Sequence, residues 1–262
     1  MHMPPYIKFL GTAGARFAVA RQLRSSAGVF LHLNGKNIML DPGPGTLQRM
    51  AGTKPKLDVT ELDAIILTHA HIDHSNDVNI LIDGMHTRRG ASKGILFAPR
   101  ECVHGENSIL FNYLKGYLSD IVILEETSHY ELGDLDFATS VRHHHAVETY
   151  GLSFFLDDLK LSFMVDTKYN VDLLPSYQNS DILVMNVVMK DYIRANIMHL
   201  CIDDVKEIIT QLHPKIAVIT HFGVSMLTAR PEQIAQDLSR ETGIKVIAAT
   251  DDMAIDLDTN NL

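Results

Sequence analysis

The stretch LTHAHIDHSND, residues 67–77, places His69, His71, Asp73 and His74 within six positions. Folding alone gives no reason to gather such side chains, since each loses hydration when buried. Their chemistry supplies one: imidazole nitrogen and carboxylate oxygen are donors that suit zinc and related first-row metals. The apolar run AIIL (64–67) leads directly into the cluster, and the loop after a strand is where a rigid scaffold presents functional groups. In extended chain His69 and His71 point the same way, while Asp73 and His74 lie just beyond and can turn toward a second centre. Four residues on one loop cannot close such a site alone, so further donors are expected from other strand ends. Three segments repeat the pattern of an apolar strand followed by a donor: TSVRHHHAVETYG (139–151) with His143, His144 and His145, LSFMVDTKY (161–169) with Asp166, and IAVITHFG (216–223) with His221.

The rest of the 262-residue chain reads as an ordinary globular protein, with 46% hydrophobic and 21% charged residues. No apolar run approaches the ~18 residues that a membrane span needs. The opening MHMPPYIKFLGT shows no basic region followed by a long apolar stretch, so no secretion signal is expected. Two cysteines, Cys102 and Cys201, are too few for a disulfide framework, and a cytoplasmic location is expected. The net charge of −9 argues against a general nucleic-acid surface, and no DNA-binding motif is seen. The charge is uneven: residues 1–60 carry +6 and the remainder −15. Arg16, Arg21 and Arg24 fall in one segment, GARFAVARQLRSS. It reads either as a solvated loop or as a clamp in which arginine forks hold an anionic substrate group.

Short β-like runs alternate with helical patterns. IKFL, GVFLHL and NIML read as strands, with Asn34-Gly35 turning the last pair into a hairpin. DAIILT, DIVIL, LDFATSV, YGLSFFL, KLSFMV, DILVMN and KIAVIT follow, and KVIAA reads as the last strand. Weaker helical stretches cover about 76–92 and 106–118. A clear helix lies in IDDVKEIITQLH, where Val205, Ile208, Ile209 and Leu212 share one face and Pro214 ends it. Another starts near Pro231. With no linker or low-complexity segment, the pattern predicts two packed sheets with helices outside, in one domain over 1–262.

THAHIDH (68–74) resembles the His-x-His-x-Asp-His motif of the metallo-β-lactamase superfamily, and the other segments fall in the superfamily's order. MLDPGPG (39–45) resembles its first motif, with Asp41 supporting the site. HAVETYGL (145–152) resembles the third-histidine segment, six residues before a strand-opening glycine, which selects His145. MVDTKY (164–169) resembles the Gly-Asp-Thr segment and maps the bridging aspartate to Asp166, although Val165 replaces the usual small residue. ITHFG (219–223) gives His221. The resemblance implies an α+β fold, a four-layer αββα sandwich of two mixed sheets with helices on the outer faces. It also implies two divalent metals, zinc first and manganese or iron as alternatives. His69, His71 and His145 would hold one, Asp73, His74 and His221 the other, with Asp166 and a hydroxide between them.

Within the superfamily two features resemble the RNase Z-like, phosphodiester-cleaving branch. One is the start, FLGTAGARFAVARQLRSSAGVFLHLNGKNIMLDPGPGTLQ (9–48), with its Leu-Gly-Thr, Arg24-Ser25 and Asp-x-Gly-x-Gly pattern. The other is His199, ahead of a helix in MHLCIDDVKEIITQLHPKIAVITHFG (198–223). The resemblance implies attack of the bridging hydroxide on a nucleotide, RNA or small-molecule phosphodiester, with Asp73 and His199 as catalytic groups. Arg16, Arg21, Arg24, Ser25 and His199 would bind substrate. Cys201 stands where that branch has a hydroxyl residue, so the helix cap is expected to be missing. The long Gly/Pro-rich arm of tRNA-processing members is absent, which favours a small cyclic or nucleotide phosphodiester. Two alternatives are a thioester or lactone hydrolase of the glyoxalase II-like or lactonase-like type, and a non-catalytic metal-binding module. Homo-oligomerisation is left open.

Overall fold

The computed structural model describes residues 3–26, 28–86, 92–192 and 197–257. The first half of the chain builds one sheet from β1 (Tyr6–Phe9), β2 (Val29–Leu33), β3 (Lys36–Leu40), β4 (Ala64–Ile66), β5 (Ile95–Pro99) and β6 (Asp120–Leu124). The second half builds another from β7 (His129–Leu132), β8 (Leu135–Arg142), β9 (Tyr150–Leu156), β10 (Leu159–Met164), β11 (Ile182–Asn186), β12 (Ile216–Thr220) and β13 (Lys245–Ala248). The chain then returns to the first sheet, where β14 (Ala254–Asp256) pairs antiparallel with β1. Each sheet has seven strands, in the orders β14-β1-β2-β3-β4-β5-β6 and β13-β12-β11-β10-β9-β8-β7.

Each sheet is antiparallel where hairpins join its strands and parallel where crossovers do. β1 to β3 and β7 to β10 are antiparallel; β3 to β6 and β10 to β13 are parallel. The Asn34-Gly35 turn joins β2 to β3 with both residues at positive φ, 47° and 72°, which suits the right-handed strand twist. Parallel pairs aim their C-terminal ends the same way, so the loops that follow them gather on one edge.

Three apolar layers hold the fold. Leu31, Ile38 and Phe97 of the first sheet meet Phe137, Phe154 and Leu161 of the second in a shared cluster. On the outer face of the first sheet, Met39, Ile65 and Leu96 pack with Val78, Leu81, Ile82 and Met85 of the helix Val78–Met85. On the outer face of the second, Leu183, Met185 and Ile219 pack with Val205, Ile208 and Ile209 of the helix Ile202–Leu212 and with Ala235 and Leu238 of Pro231–Thr242. This is the expected αββα sandwich. Among the described residues no helix is long and apolar enough to cross a membrane.

Several local readings need correction. The helical stretch expected at 106–118 is irregular except for a 3-10 segment, Asn112–Tyr117. The stretch at 76–92 is helical only over Val78–Met85, and residues 87–91 lie outside the described ones. KVIAA is not the last strand, because β14 follows it. That strand carries one apolar contact of note, Ile255 opposite Ile7, so it exists through its pairing rather than its pattern. β5 and β7 also escape the sequence pattern: β5 ends on a proline, and β7 (HYEL) alternates polar and apolar residues over only four positions, too few to stand out. The basic N-terminal segment holds a short helix, Ala15–Ala20. Cys201 does cap its helix: its backbone N–H donates to Asp204 Oδ2 at 2.9 Å, and its side chain takes the Asp204 N–H, closing a capping box.

Candidate metal centre

The candidate donors stand at C-terminal strand ends. β4 releases His69 and His71, then the one-turn helix Ile72–Ser75 with Asp73 and His74. β10 releases Asp166 and β12 releases His221. β8 breaks register between Thr139 and Arg142, the kind of irregularity that re-aims a strand end, three residues before His145.

Two sets of donor atoms face the centre, and a third group, Asp41 with His69 and His74, overlaps both. His69, His71, His145 and Asp166 bring theirs within 4.8 Å of one another, as do Asp73, His74 and His221. His145 Nε2 lies 2.9 Å from His71 Nδ1, and His74 Nε2 lies 3.3 Å from His221 Nε2. Two nitrogens bound to one zinc at tetrahedral angles stand roughly 3.3 Å apart. The Asp166 carboxylate lies between the sets. Its Oδ2 is 3.8 Å from His69 Nε2, 3.9 Å from His145 Nε2 and 3.5 Å from His74 Nε2, and its Oδ1 is 3.4 Å from His221 Nε2.

The surrounding hydrogen bonds decide which nitrogen of each ring faces inward. Asp41 Oδ1 accepts the Thr68 N–H at 2.7 Å, and Oδ2 accepts the Thr68 hydroxyl at 2.6 Å and His74 Nδ1–H at 2.9 Å. Thr68 Oγ1, having donated to Asp41, can accept His69 Nδ1–H at 3.0 Å. His145 Nδ1–H donates to the Met198 carbonyl at 3.1 Å. With the outer nitrogens protonated, Nε2 of His69, His74 and His145 turns its lone pair to the centre, as metal ligation requires. His69 Nε2 is buried with no hydrogen-bond partner among the described residues, an orphan that a cation would satisfy. The residues present therefore fit divalent metal. Asp41 is a support rather than a donor, because both its oxygens are already engaged. Asp41→Asn is expected to weaken metal affinity 10- to 100-fold, as loss of such a partner typically does. Chelator competition measures this, and an unaltered affinity would remove Asp41 from the scheme.

Electrostatics point the same way. Burial pushes His69 well below the ordinary histidine range, helped by His74 beside it. Burial likewise lowers His145 to about 4 against the pull of Asp166, and it lowers His199. Burial opposes charge on His74 too, but Asp166 and Asp41 outweigh it and raise that imidazole well above its ordinary value. Burial would raise Asp166, yet His221, His74 and His199 hold it well below the usual carboxylate range. Asp73 follows the same pattern, burial being outweighed by His74 and His221. An ionised carboxylate among neutral imidazoles draws positive charge onto His74, the charge a metal would otherwise bring.

The other sequence candidates separate. His199 joins the centre: its Nδ1 lies 3.6 Å from Asp166 Oδ2, buried and without a hydrogen-bond partner among the described residues, and its ring centroid is 5.3 Å from that of His145. Of the histidine run, His145 faces the centre, His144 is exposed, and His143 is buried behind Asp166. Arg16 and Arg21 are exposed on and just after the helix Ala15–Ala20. Arg24 and Ser25 are engaged by other parts of the fold. The Arg24 guanidinium donates to Thr12 Oγ1, the Ala249 carbonyl and Glu232, and lies 5.4 Å over the Phe222 ring. The Ser25 N–H donates to Asp251 Oδ2 at 2.7 Å. Both tie the N-terminal loop to the C-terminal segment.

Sequence reading missed four contributors. Asn186 Nδ2 donates to Asp166 Oδ1 at 2.9 Å. It ends β11 as a polar residue after an apolar strand, the signal that marked the other donors. The Ala15 N–H donates to Asp73 Oδ2 at 3.2 Å, and the Met198 carbonyl holds His145; neither main-chain group leaves a sequence signal. Gly14 leaves room for His221, since a Cβ there would stand 2.2 Å from its ring.

A profile of the beta-lactamase superfamily domain matches residues 36–222, which include every donor above. An uncharacterized protein of Methanocaldococcus jannaschii is 27% identical over 259 residues, 96% of this chain and 94% of that protein. A ribonuclease Z of Methanopyrus kandleri is 34% identical over 86 residues, 32% of this chain and 29% of that protein. Among solved structures, the metallo-beta-lactamase fold protein YhfI from Bacillus subtilis superposes with a TM-score of 0.79 at 15% identity, covering 97% of this chain and 99% of that one. A diphosphatase of the PhnP family superposes at 0.70 with 19% identity, covering 97% and 98%.

Proposed function

Because the chain belongs to the beta-lactamase superfamily, we propose that it is a dinuclear metal-dependent hydrolase, acting as one domain over residues 1–262, that cleaves phosphodiester bonds in nucleotides, RNA or small molecules. The observation that carries this reading is the Asp166 carboxylate standing between two sets of facing donors. His69, His71 and His145 would hold one ion, Asp73, His74 and His221 the other, with Asp166 shared. Zinc suits this nitrogen and oxygen set, as do manganese and iron. When bound, the ions would supply an activated water and neutralise charge on the phosphoryl oxygens.

The chain's own groups do the rest. Asp73, oriented by the Ala15 N–H, would accept a hydrogen bond from the attacking water. His199, one-fifth exposed at the edge of the centre, would contact a phosphoryl oxygen or give its proton to the leaving oxygen. Arg16 and Arg21 remain exposed and would meet further anionic groups of the substrate. The partial match to a ribonuclease Z and the fold shared with a diphosphatase support phosphorus as the site of attack.

Metal analysis with parallel assays tests the proposal. The purified protein is expected to carry close to two transition metals per chain and to hydrolyse bis-(p-nitrophenyl) phosphate. EDTA is expected to abolish turnover, and zinc or manganese to restore it. Faster turnover of a thioester or lactone than of any phosphodiester would overturn the substrate class. Less than one metal per chain with no activity on reconstitution would overturn the enzyme reading itself.

A further inference from the structure

His143 is a buried titratable group beside the centre that the scheme above leaves unused. It directly follows β8, two residues before His145, and its side chain is packed away from solvent at 2% exposure. Both ring nitrogens are engaged: Nδ1 lies 3.3 Å from the Asp166 main-chain carbonyl, and Nε2 lies 2.6 Å from the Tyr177 hydroxyl. A carbonyl only accepts, so the proton sits on Nδ1, and Nε2 accepts from Tyr177. Tyr177 is itself fully buried, at the end of the helix Leu174–Tyr177. Gly151 leaves space for its hydroxyl, since a Cβ there would stand 1.8 Å from that oxygen.

The relay joins two loops that must keep register. The loop with His145 and the loop with Asp166 are stitched by four hydrogen bonds: His143 Nδ1–H to the Asp166 carbonyl, the His144 N–H to Thr167 Oγ1 at 3.1 Å, the Lys168 N–H to the His144 carbonyl at 2.9 Å, and Asn170 Nδ2–H to His144 Nε2 at 3.4 Å. Only the first reaches Asp166 itself, and only it is braced from behind. Packing alone gives no reason for a histidine here. A buried polar ring is destabilising wherever a partner is missing, and an apolar side chain would fill the space without that cost.

We infer that His143 is a positioning residue: through the Tyr177–His143–Asp166 relay it sets where the shared Asp166 carboxylate stands relative to His145. The inference rests on the reading of Asp166 and His145 as metal ligands. His143 touches neither metal nor substrate, so its loss should alter metal affinity and kcat while leaving KM near the wild-type value.

The test uses the full-length protein loaded with zinc. His143→Leu keeps the volume and removes both hydrogen bonds, His143→Asn keeps a donor near Nδ1, and Tyr177→Phe removes the brace. Zinc affinity by chelator competition, kcat and KM are measured for each. His143→Leu is expected to weaken zinc binding by 10- to 100-fold, as the loss of an outer-shell partner does, and to lower kcat by about the same factor with KM unchanged. His143→Asn is expected to recover most of both, and Tyr177→Phe to fall between. Wild-type affinity and kcat in His143→Leu would overturn the inference, whatever its melting temperature. If that variant does not fold, an asparagine variant no better than Tyr177→Phe would overturn it instead. A wild-type protein that binds none of zinc, manganese or iron would overturn the metal centre first and the relay with it, which separates the two failures.

Discussion

Asp166→Ala is expected to release at least one of the two metals and to lower kcat/KM on a phosphodiester by roughly three orders of magnitude, about 4 kcal/mol of transition-state stabilisation. Asp166 is the carboxylate with an oxygen near members of both donor sets: Oδ2 faces His69, His74 and His145, and Oδ1 faces His221. It is also buried, so no solvent screens its charge. Its loss would leave Asp73 as the one ligand carboxylate to neutralise the two ions proposed for the site. The pull that raises His74 loses its largest favourable source. Metal content by mass spectrometry, read beside kcat and KM, checks this. Two retained metals with near-normal turnover would show that Asp166 does not bridge. Far-UV circular dichroism separates that result from unfolding, since the neighbouring strands β10 and β11 are held by the central cluster rather than by the carboxylate.

Phe137→Ala is expected to cost about 3–5 kcal/mol of stability, the range for removing a buried phenyl ring from a core. Phe137 points from β8 into the layer between the sheets and is fully buried. It meets Phe97 of the opposite sheet edge-on, with centroids 5.1 Å apart and planes at 82°. It stacks on Tyr130 at 5.3 Å and leans on Phe154 at 5.5 Å. Such pairs add about 0.5–1.5 kcal/mol beyond area burial. Ladder hydrogen bonds on both sides keep the sheets from collapsing onto the void. Total stabilities of single domains run to about 5–15 kcal/mol, so the variant loses a large fraction of what it has. Urea unfolding gives the value, and a loss below about 1 kcal/mol would mean that the two sheets close around the gap. Phe137→Leu, which leaves most of the volume filled, is expected to lose much less.

What could be read from the chain before its fold was known was uneven, for physical reasons. The donors His69, His71, Asp73 and His74 announced themselves because four ligand-type residues in six positions serve no packing purpose. Asp166 and His221 could be read because each follows an apolar run at a strand end. His145 could not be separated from His143 and His144 by chemistry, only by the resemblance, since three adjacent histidines carry the same local signal. Strands with strong patterns were legible, whereas β14 was not: three residues gain order only from pairing with β1. The same limit explains Arg24. Three arginines in one segment look alike in sequence, but Glu232 and the Ala249 carbonyl, more than 200 residues away, claim one of them.

By itself, then, the sequence pointed to His69, His71, Asp73, His74, Asp166 and His221 as donors, to the strands that carry them and to the layered architecture, because these follow from local residue chemistry and periodicity, whereas His145 needed the resemblance. Tertiary structure alone decided which nitrogen of each imidazole faces the centre, which oxygen of Asp166 faces which set, and that Asn186, Thr68 and the carbonyl of Met198 hold those groups in place. These depend on partners brought together from distant strand ends, and hydrogen bonds between such partners leave no trace in local pattern.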